Sequence, residues 1–294
     1  MAISEQQLET WSHQGSITQS ASTYQTIKAV LHDPNAPYNT RLYDSFLQGS
    51  YGNSTNIYAD SDVDIVMMLS SGYYSDLSRL NEAEKKHYDA KRIAGTYSFN
   101  KFKTDVLSWL RKHFGQGVRV EKKAIFIPGN GNRRDADVLV CVQHRKYHSY
   151  GPSDHTNYWS GVTFWTSNGD QIVNYPKRHL ANGTEKHQQT NSRFKANVRV
   201  LKNMRNAMIN NHLLSDGVAP SYFLEGMLWN VPNSNFEGNY QQTFKNYLTW
   251  LMDCNSRDLT CANGIHYLLR DGHSICWNEA DFNTFRTAAV QFWI

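Results

Sequence analysis

The chain has 294 residues, 40% hydrophobic and 19% charged, with a formal net charge of +4 and a pI near 8.7. That length carries one large domain or two lobes with a real core, and the mild basicity suits a polyphosphate ligand but is too weak, unclustered, to indicate long nucleic acid. The opening MAISEQQLETWSHQG has no apolar core and so does not read as a signal peptide, and no apolar run approaches the roughly 18 residues that span a bilayer, so a soluble, cytoplasmic protein with no membrane contact is expected.

In chain order, Ser4 to Trp11 read as a short helix capped by Ser4, and Thr18 to Leu31 as a longer one with Tyr24, Ile27 and Leu31 on one face. A turn-rich link, Asp33 to Thr40, leads into Phe46 to Leu69, which reads as a strand, a Gly/Ser turn and a second strand. Residues 70 to 76 are expected to loop and 77 to 87 to form a polar helix. Ser98 to Phe114 carries Phe99, Phe102, Val106, Trp109 and Leu110 on one helical face and ends at Gly115. Val118 to Pro128 alternates like a strand. The loop Gly129 to Asp135 follows, where Arg133 and Arg134 are expected to be solvated, and then the β-branched run Asp137 to Val142. Further strands are expected at Val162 to Trp165 and Gln171 to Tyr175, with Pro176 breaking regularity. The polar stretch Lys177 to Thr190 reads as a loop and marks a boundary between a 1–185 lobe and a helical 186–294 lobe. Helices are expected at 192–208, 222–230, 236–252, 262–270 and 280–293. On the first of these, Lys195, Arg199 and Lys202 form a cationic stripe, either a solvated face or a grip for phosphate.

Cys141, Cys254, Cys261 and Cys276 form no CxxC, and Cys254 and Cys261 with His266 match no common zinc module. Reduced, mostly buried thiols are expected.

The chemistry concentrates at the second strand. Asp62 and Asp64 are two apart and project to the same face of an extended chain, at the mouth of the apolar run Ile65 to Leu69. Two adjacent carboxylates there repel and lose hydration, and a divalent cation relieves both penalties. Mg²⁺ favours carboxylate oxygens together with substrate phosphates. Upstream, Gly49 lets a phosphate approach the backbone, and Ser50 offers a hydroxyl and an N–H. A third acid comes from Asp137 or from Asp135, two residues earlier on the same face. Asp137 is preferred because it abuts its apolar run as Asp64 does.

Gly-Ser followed by Asp-x-Asp entering an apolar strand resembles the signature of polymerase β-type nucleotidyltransferases. Over nearly its whole length the chain is similar to the bacterial CD-NTases, relatives of cyclic GMP-AMP synthase and the oligoadenylate synthases, and most of all to clade E. The similarity is carried by LETWSHQG, LQGSYGNSTNIYADSDVDIV, ADVLVC, NYPKRH, VRVLKNMRN and PSYFLEGMLWNVP. The resemblance implies an α/β (α+β) fold: a nucleotidyltransferase lobe with a mixed sheet, a C-terminal helical lobe, and an active site in the cleft between them. It also implies roles. Asp62, Asp64 and Asp137 hold two Mg²⁺ ions (Mn²⁺ possible), and Asp137 helps activate the attacking hydroxyl. Gln48, Gly49 and Ser50 contact the triphosphate, Lys202 and Ser221 grip its β- and γ-phosphates, and Tyr222 stacks on a base. Asn174 reads uracil, since an amide donates and accepts at once. For Tyr222 core packing is the alternative, and for Asn174 a turn before Pro176.

The implied activity is synthesis of a cyclic dinucleotide from two NTPs (UTP, with ATP or CTP possible), uridine-containing as cyclic UMP-UMP or UMP-AMP. The product would be a second messenger for anti-phage (CBASS) signalling through a separate cyclic-nucleotide-activated effector. The enzyme would be a bacterial, cytoplasmic monomer with no long nucleic acid as partner. The competing readings are a linear oligonucleotide or tRNA-end nucleotidyltransferase and a catalytically silent nucleotide sensor.

Overall fold

The computed structural model describes residues 3–59 and 62–293. In chain order the elements are α1 (Glu5–Ser12), α2 (Thr18–Leu31), β1 (Tyr43–Leu47), α3 (Gly49–Asn53), β2 (Val63–Asp76), α4 (Glu82–Lys91) and α5 (Phe99–Phe114). Then come β3 (Arg119–Val120), β4 (Ile125–Ile127), β5 (Ala136–Tyr147), β6 (Tyr158–Trp165), β7 (Gln171–Asn174) and α6 (Pro176–Gln189). The helices α7 (Phe194–Asn210), α8 (Ser221–Asn230), α9 (Tyr240–Asp253) and α10 (Glu279–Trp293) complete the chain. It divides into two compact units, and both are discontinuous in sequence. One comprises Ile17–Gln48 and Ser61–Pro176; the other comprises Met1–Ser16, Gly49–Asp60 and Lys177–Ile294.

The first unit is a mixed seven-stranded sheet with helices α2, α4 and α5. Its spine is the parallel pair β2 and β5, in register from Val63↔Ala136 to Leu69↔Val142. Strands buried on both faces need continuous apolar runs, and Val63, Ile65–Met68 and Val138–Val142 supply them. Antiparallel β1 borders β2, while β4 pairs the first residues of β5 and β6 pairs its last. Helix α5 is capped by Ser98, whose hydroxyl accepts from the Lys101 N–H, and stops at Gly115 with φ 84°. The Trp109 indole N–H donates to the Val30 carbonyl at 2.9 Å, joining α5 to α2.

The second unit is helical. Leu8, Phe194, Val198, Leu201, Met204, Leu224, Leu228, Phe244, Phe282 and Phe285 share one core, each such side chain contributing about 1.5–3 kcal/mol on burial. Phe244 and Trp293 stack at 4.3 Å and close α9 on α10. Among the described residues no helix is long and apolar enough to cross a membrane.

Several expectations are corrected. Residues 70–76 continue β2 past an irregularity between Leu69 and Tyr73, and Tyr73 to Asp76 pair with β5 beyond its apolar run. Backbone pairing there does not depend on apolar side chains. Residues 118–128 hold two short strands, β3 and β4, paired across a turn. Residues 177–190 are largely helix α6. Pro176 does not break regularity but opens the helix, where its missing N–H costs nothing. The buried stripe of α6 is His179, Gly183 and Lys186, which hydropathy cannot see. The boundary expected at 185/186 falls inside this helix. Residues 262–270 form no helix, because the Asn263 side chain accepts the N–H groups of Ile265 and His266 and turns the chain.

Candidate active site

The acids are set by strand register. Asp64 pairs directly with Asp137 across the parallel β2–β5 ladder, so the two side chains leave the same face of the sheet. Asp62 lies two residues before Asp64, just outside the strand, and is exposed. Asp135 is engaged elsewhere. Its carboxylate accepts the Gly129 N–H at 2.6 Å and closes the loop preceding β5. Arg133 is not solvated. It lies over the Phe114 ring at 4.6 Å and donates to the Pro128 carbonyl.

Asp137 is half-buried, and its Oδ1 is buried without a hydrogen-bond partner. Burial, the charges of Glu121 and Asp62, and that of Asp135 push its carboxyl up to about 6, against partial relief from Arg119. Glu121, on the β3–β4 turn, is a fourth acid that the sequence did not single out. Its only signal there was a position in a polar tetrad, EKKA. An orphaned carboxylate oxygen among like charges is the donor chemistry a hard cation satisfies. Among the described residues no three acidic, histidine or cysteine side chains already stand at metal-ligating separation. The strand ends therefore hold no preassembled three-ligand cage among the described residues.

The Gly/Ser segment leaves the sheet where the Gln48 N–H donates to the Asp64 carbonyl at 3.0 Å. Gly49 has φ 63°, a left-handed conformation that favours glycine. The expected turn is the short helix α3. Behind it, in the helical unit, stands a buried polar network. Glu225 of α8 accepts from the Asn53 amide at 2.8 Å, from the Thr55 hydroxyl at 2.5 Å, and pairs with His179 Nε2 at 2.7 Å. Although burial alone raises it, the His179 hydrogen bond and charge, the Thr55 hydroxyl and the Lys202 charge hold this carboxyl below its ordinary value.

The cationic stripe of α7 is not a solvated face. Lys202 is fully buried, with Nζ 3.1 Å from the Thr55 carbonyl, and Lys195 is buried as well. Arg199 donates to the carbonyls of Ser12 and Ser54 at 2.5 and 2.7 Å. Charges on a helix stripe become internal when backbone carbonyls stand within their reach. Ser221 opens α8, and its hydroxyl accepts from Arg205 at 3.1 Å. Tyr222 stacks on His179 at 5.1 Å, and its hydroxyl accepts from the Asn263 amide; burial raises its phenol above the usual range.

Asn174 ends β7 opposite Val162, and its side-chain oxygen accepts the next N–H, that of Tyr175, at 2.8 Å. Gly161 makes room for it: an added Cβ would lie 2.6 Å from the Asn174 carbonyl and 2.7 Å from the Tyr175 ring. Gly161→Ala is therefore expected to lower stability by about 1–3 kcal/mol, measured by thermal melting, as overpacking does where backbone cannot yield.

A family model for the cGAS/DncV-like nucleotidyltransferase C-terminal helical domain matches residues 181–294. The chain is 38% identical over 266 residues to a cyclic UMP-AMP synthase of Rhodothermus marinus, covering 90% of this chain and 88% of that one. It is 35% identical over 271 residues to a cyclic dipurine nucleotide synthase of Elizabethkingia meningoseptica, covering 91% of each. The solved structure of the Rhodothermus marinus CdnE c-UMP-AMP synthase with Apcpp and Upnpp superposes with a TM-score of 0.88 at 36% identity, covering 99% of this chain and 96% of that one. With the parallel Asp64–Asp137 register, the glycine-led segment after β1 and the helical C-terminal domain all in place, this chain belongs to the CD-NTase family of nucleotidyltransferases, among its CdnE members.

Proposed function

We propose that this chain joins two NTPs into a cyclic dinucleotide containing at least one UMP. The observation that carries the chemistry is the orphaned Oδ1 of Asp137, in register with Asp64 and in the field of Asp62. In this reading Asp62, Asp64 and Asp137 hold two Mg²⁺ ions, or Mn²⁺. Bound there, the ions supply charge neutralisation for the triphosphate and for the attacking and leaving oxygens of an in-line displacement. Asp137 Oδ1 helps to draw the proton from the acceptor ribose hydroxyl. Attack of one nucleotide's ribose hydroxyl on the α-phosphorus of the other NTP releases pyrophosphate and leaves a linear intermediate, whose free hydroxyl attacks the remaining α-phosphorus, releases a second pyrophosphate and closes the ring. Gln48, Gly49 and Ser50 contact the triphosphate. Lys202 acts behind this segment, on the Thr55 carbonyl, and Ser221 offers its hydroxyl to phosphate. Tyr222 stacks on a base.

The uridine assignment rests on Asn174, since the two relatives named above make products of different bases at similar identity to this chain. The product serves as a second messenger in CBASS-type anti-phage defence, acting on a separate effector from a cytoplasmic, monomeric enzyme. Purified protein incubated with all four labelled NTPs and Mg²⁺ or Mn²⁺ is expected to yield a phosphatase-resistant product with a cyclic dinucleotide mass. Linear products with free 3′ ends would instead establish the oligonucleotide synthase. Asn174→Ser is expected to shift incorporation from pyrimidine toward purine, read by product mass, and an unchanged spectrum removes Asn174 from base selection.

A further inference from the structure

We infer that Glu225 is a positioning residue for nucleotide binding, fixing residues 49–55 in the conformation that receives a triphosphate. The inference rests on the proposed role of Gly49 and Ser50 as triphosphate contacts. The segment carries left-handed backbone near both ends, Gly49 at φ 63° and Ser54 at φ 57°. Serine does not hold that conformation unless its surroundings over-determine it.

The surroundings do so from three directions. Arg199 grips the Ser54 carbonyl at 2.7 Å and Lys202 the Thr55 carbonyl at 3.1 Å. Glu225 takes the Asn53 amide and the Thr55 hydroxyl on its two carboxylate oxygens. Thr55 in turn donates its N–H to the Ser50 carbonyl at 2.9 Å, so one path of hydrogen bonds runs from His179 through Glu225 and Thr55 to Ser50.

The chemistry of this path is wrong for a device that only stabilises the fold. Glu225 is 4% exposed and Lys202 0%. Taking such charges out of water is costly, and apolar side chains of like volume hold helices together as well or better. What a buried carboxylate with both oxygens hydrogen-bonded adds is a single fixed geometry. Here that geometry belongs to the residues following Ser50. His179 extends it further, because the ring whose Nε2 meets Glu225 also stacks on Tyr222, the proposed base-stacking residue. One carboxylate thus orders both the triphosphate segment and the base-side ring. The sequence signal, legible only afterwards, is an acid inside the apolar run YFLEGMLW.

The test compares Thr55→Val with Thr55→Ser in the full chain, with Asn53→Ala as a second variant at a half-exposed position. The readouts are calorimetric binding of Mg²⁺ and a non-hydrolysable UTP analogue, KM and kcat for pyrophosphate release, and the melting temperature. Thr55→Val is expected to weaken analogue binding and raise KM about tenfold, a change equivalent to 1.4 kcal/mol, with kcat within about threefold. Thr55→Ser, which keeps the hydroxyl, restores wild-type binding, and Asn53→Ala weakens binding in the same direction as Thr55→Val. Wild-type affinity in both Thr55→Val and Asn53→Ala overturns the inference, as does Thr55→Ser failing alongside Thr55→Val. A wild-type chain that binds the analogue but releases no pyrophosphate sinks the synthase reading while the binding arm still decides the role of Glu225. A wild-type chain that binds no analogue overturns both.

Discussion

Asp64→Asn and Asp62→Asn are each expected to lower pyrophosphate release by roughly a thousandfold, while the melting temperature stays near that of the parent chain. Asn keeps the shape and polarity of Asp but loses the charge that neutralises a divalent cation, and metal assistance to an in-line displacement is worth several kcal/mol, each 1.36 of which is a factor of ten in rate. The fold should be indifferent. Asp62 is exposed outside the strand, and the substitution at Asp64 leaves its backbone bonds in place, the ladder with Asp137 and the carbonyl accepting from Gln48, while Asn keeps the side chain's shape. A coupled pyrophosphate assay beside circular-dichroism melting checks both halves. Full turnover in either variant would place the reacting centre elsewhere.

Asp137→Asn is expected to abolish turnover to a similar degree and, at pH 7.5 without added metal, to raise stability. The carboxyl titrates near 6 in the folded chain and near 3.9 when unfolded. Between those values the folded state holds more protons than the unfolded state, so stability falls as pH rises through this window, and the whole penalty is present above it. Below about pH 4 both states are protonated and the penalty vanishes. Asn carries no such charge. Solvent screening at a half-buried position brings the expected gain at pH 7.5 to about 1 kcal/mol, or about 2 °C in melting temperature, and the gain should fade toward pH 4. A variant that loses both activity and stability at pH 7.5 would mean that the carboxylate is a structural group. Loss of activity with gain of stability is the behaviour of a site whose charges are arranged for a ligand.

How far the site was legible depends on distance along the chain. Asp62 and Asp64 were legible because both facts about them are local: a period of two and an apolar run beginning at Ile65. The choice between Asp135 and Asp137 was not settled by local pattern, since residues two apart share a face. Register settled the geometry: Asp137 is the partner of Asp64, and Asp135 is engaged with Gly129. The helix α6 was hidden because hydropathy marks a buried face only when that face is apolar, and this one is His179, Gly183 and Lys186. The stripe on α7 was visible, but its fate was not. Three cations at helical spacing look the same whether they meet water or, as here, the carbonyls of residues 12, 54 and 55 and the hydroxyl of Thr184.

By itself the sequence determined the fold class, most of the helices and strands, the acidic strand end and the family, because each of these is written in neighbouring residues or in motifs read whole. Only the tertiary structure decided which carboxylates face one another, how the chain is shared between two discontinuous units, and that Glu225 and His179 stand behind the glycine-led segment. Those matters turn on strand register and on hydrogen bonds between residues 46 to 172 positions apart, and local periodicity carries no record of either.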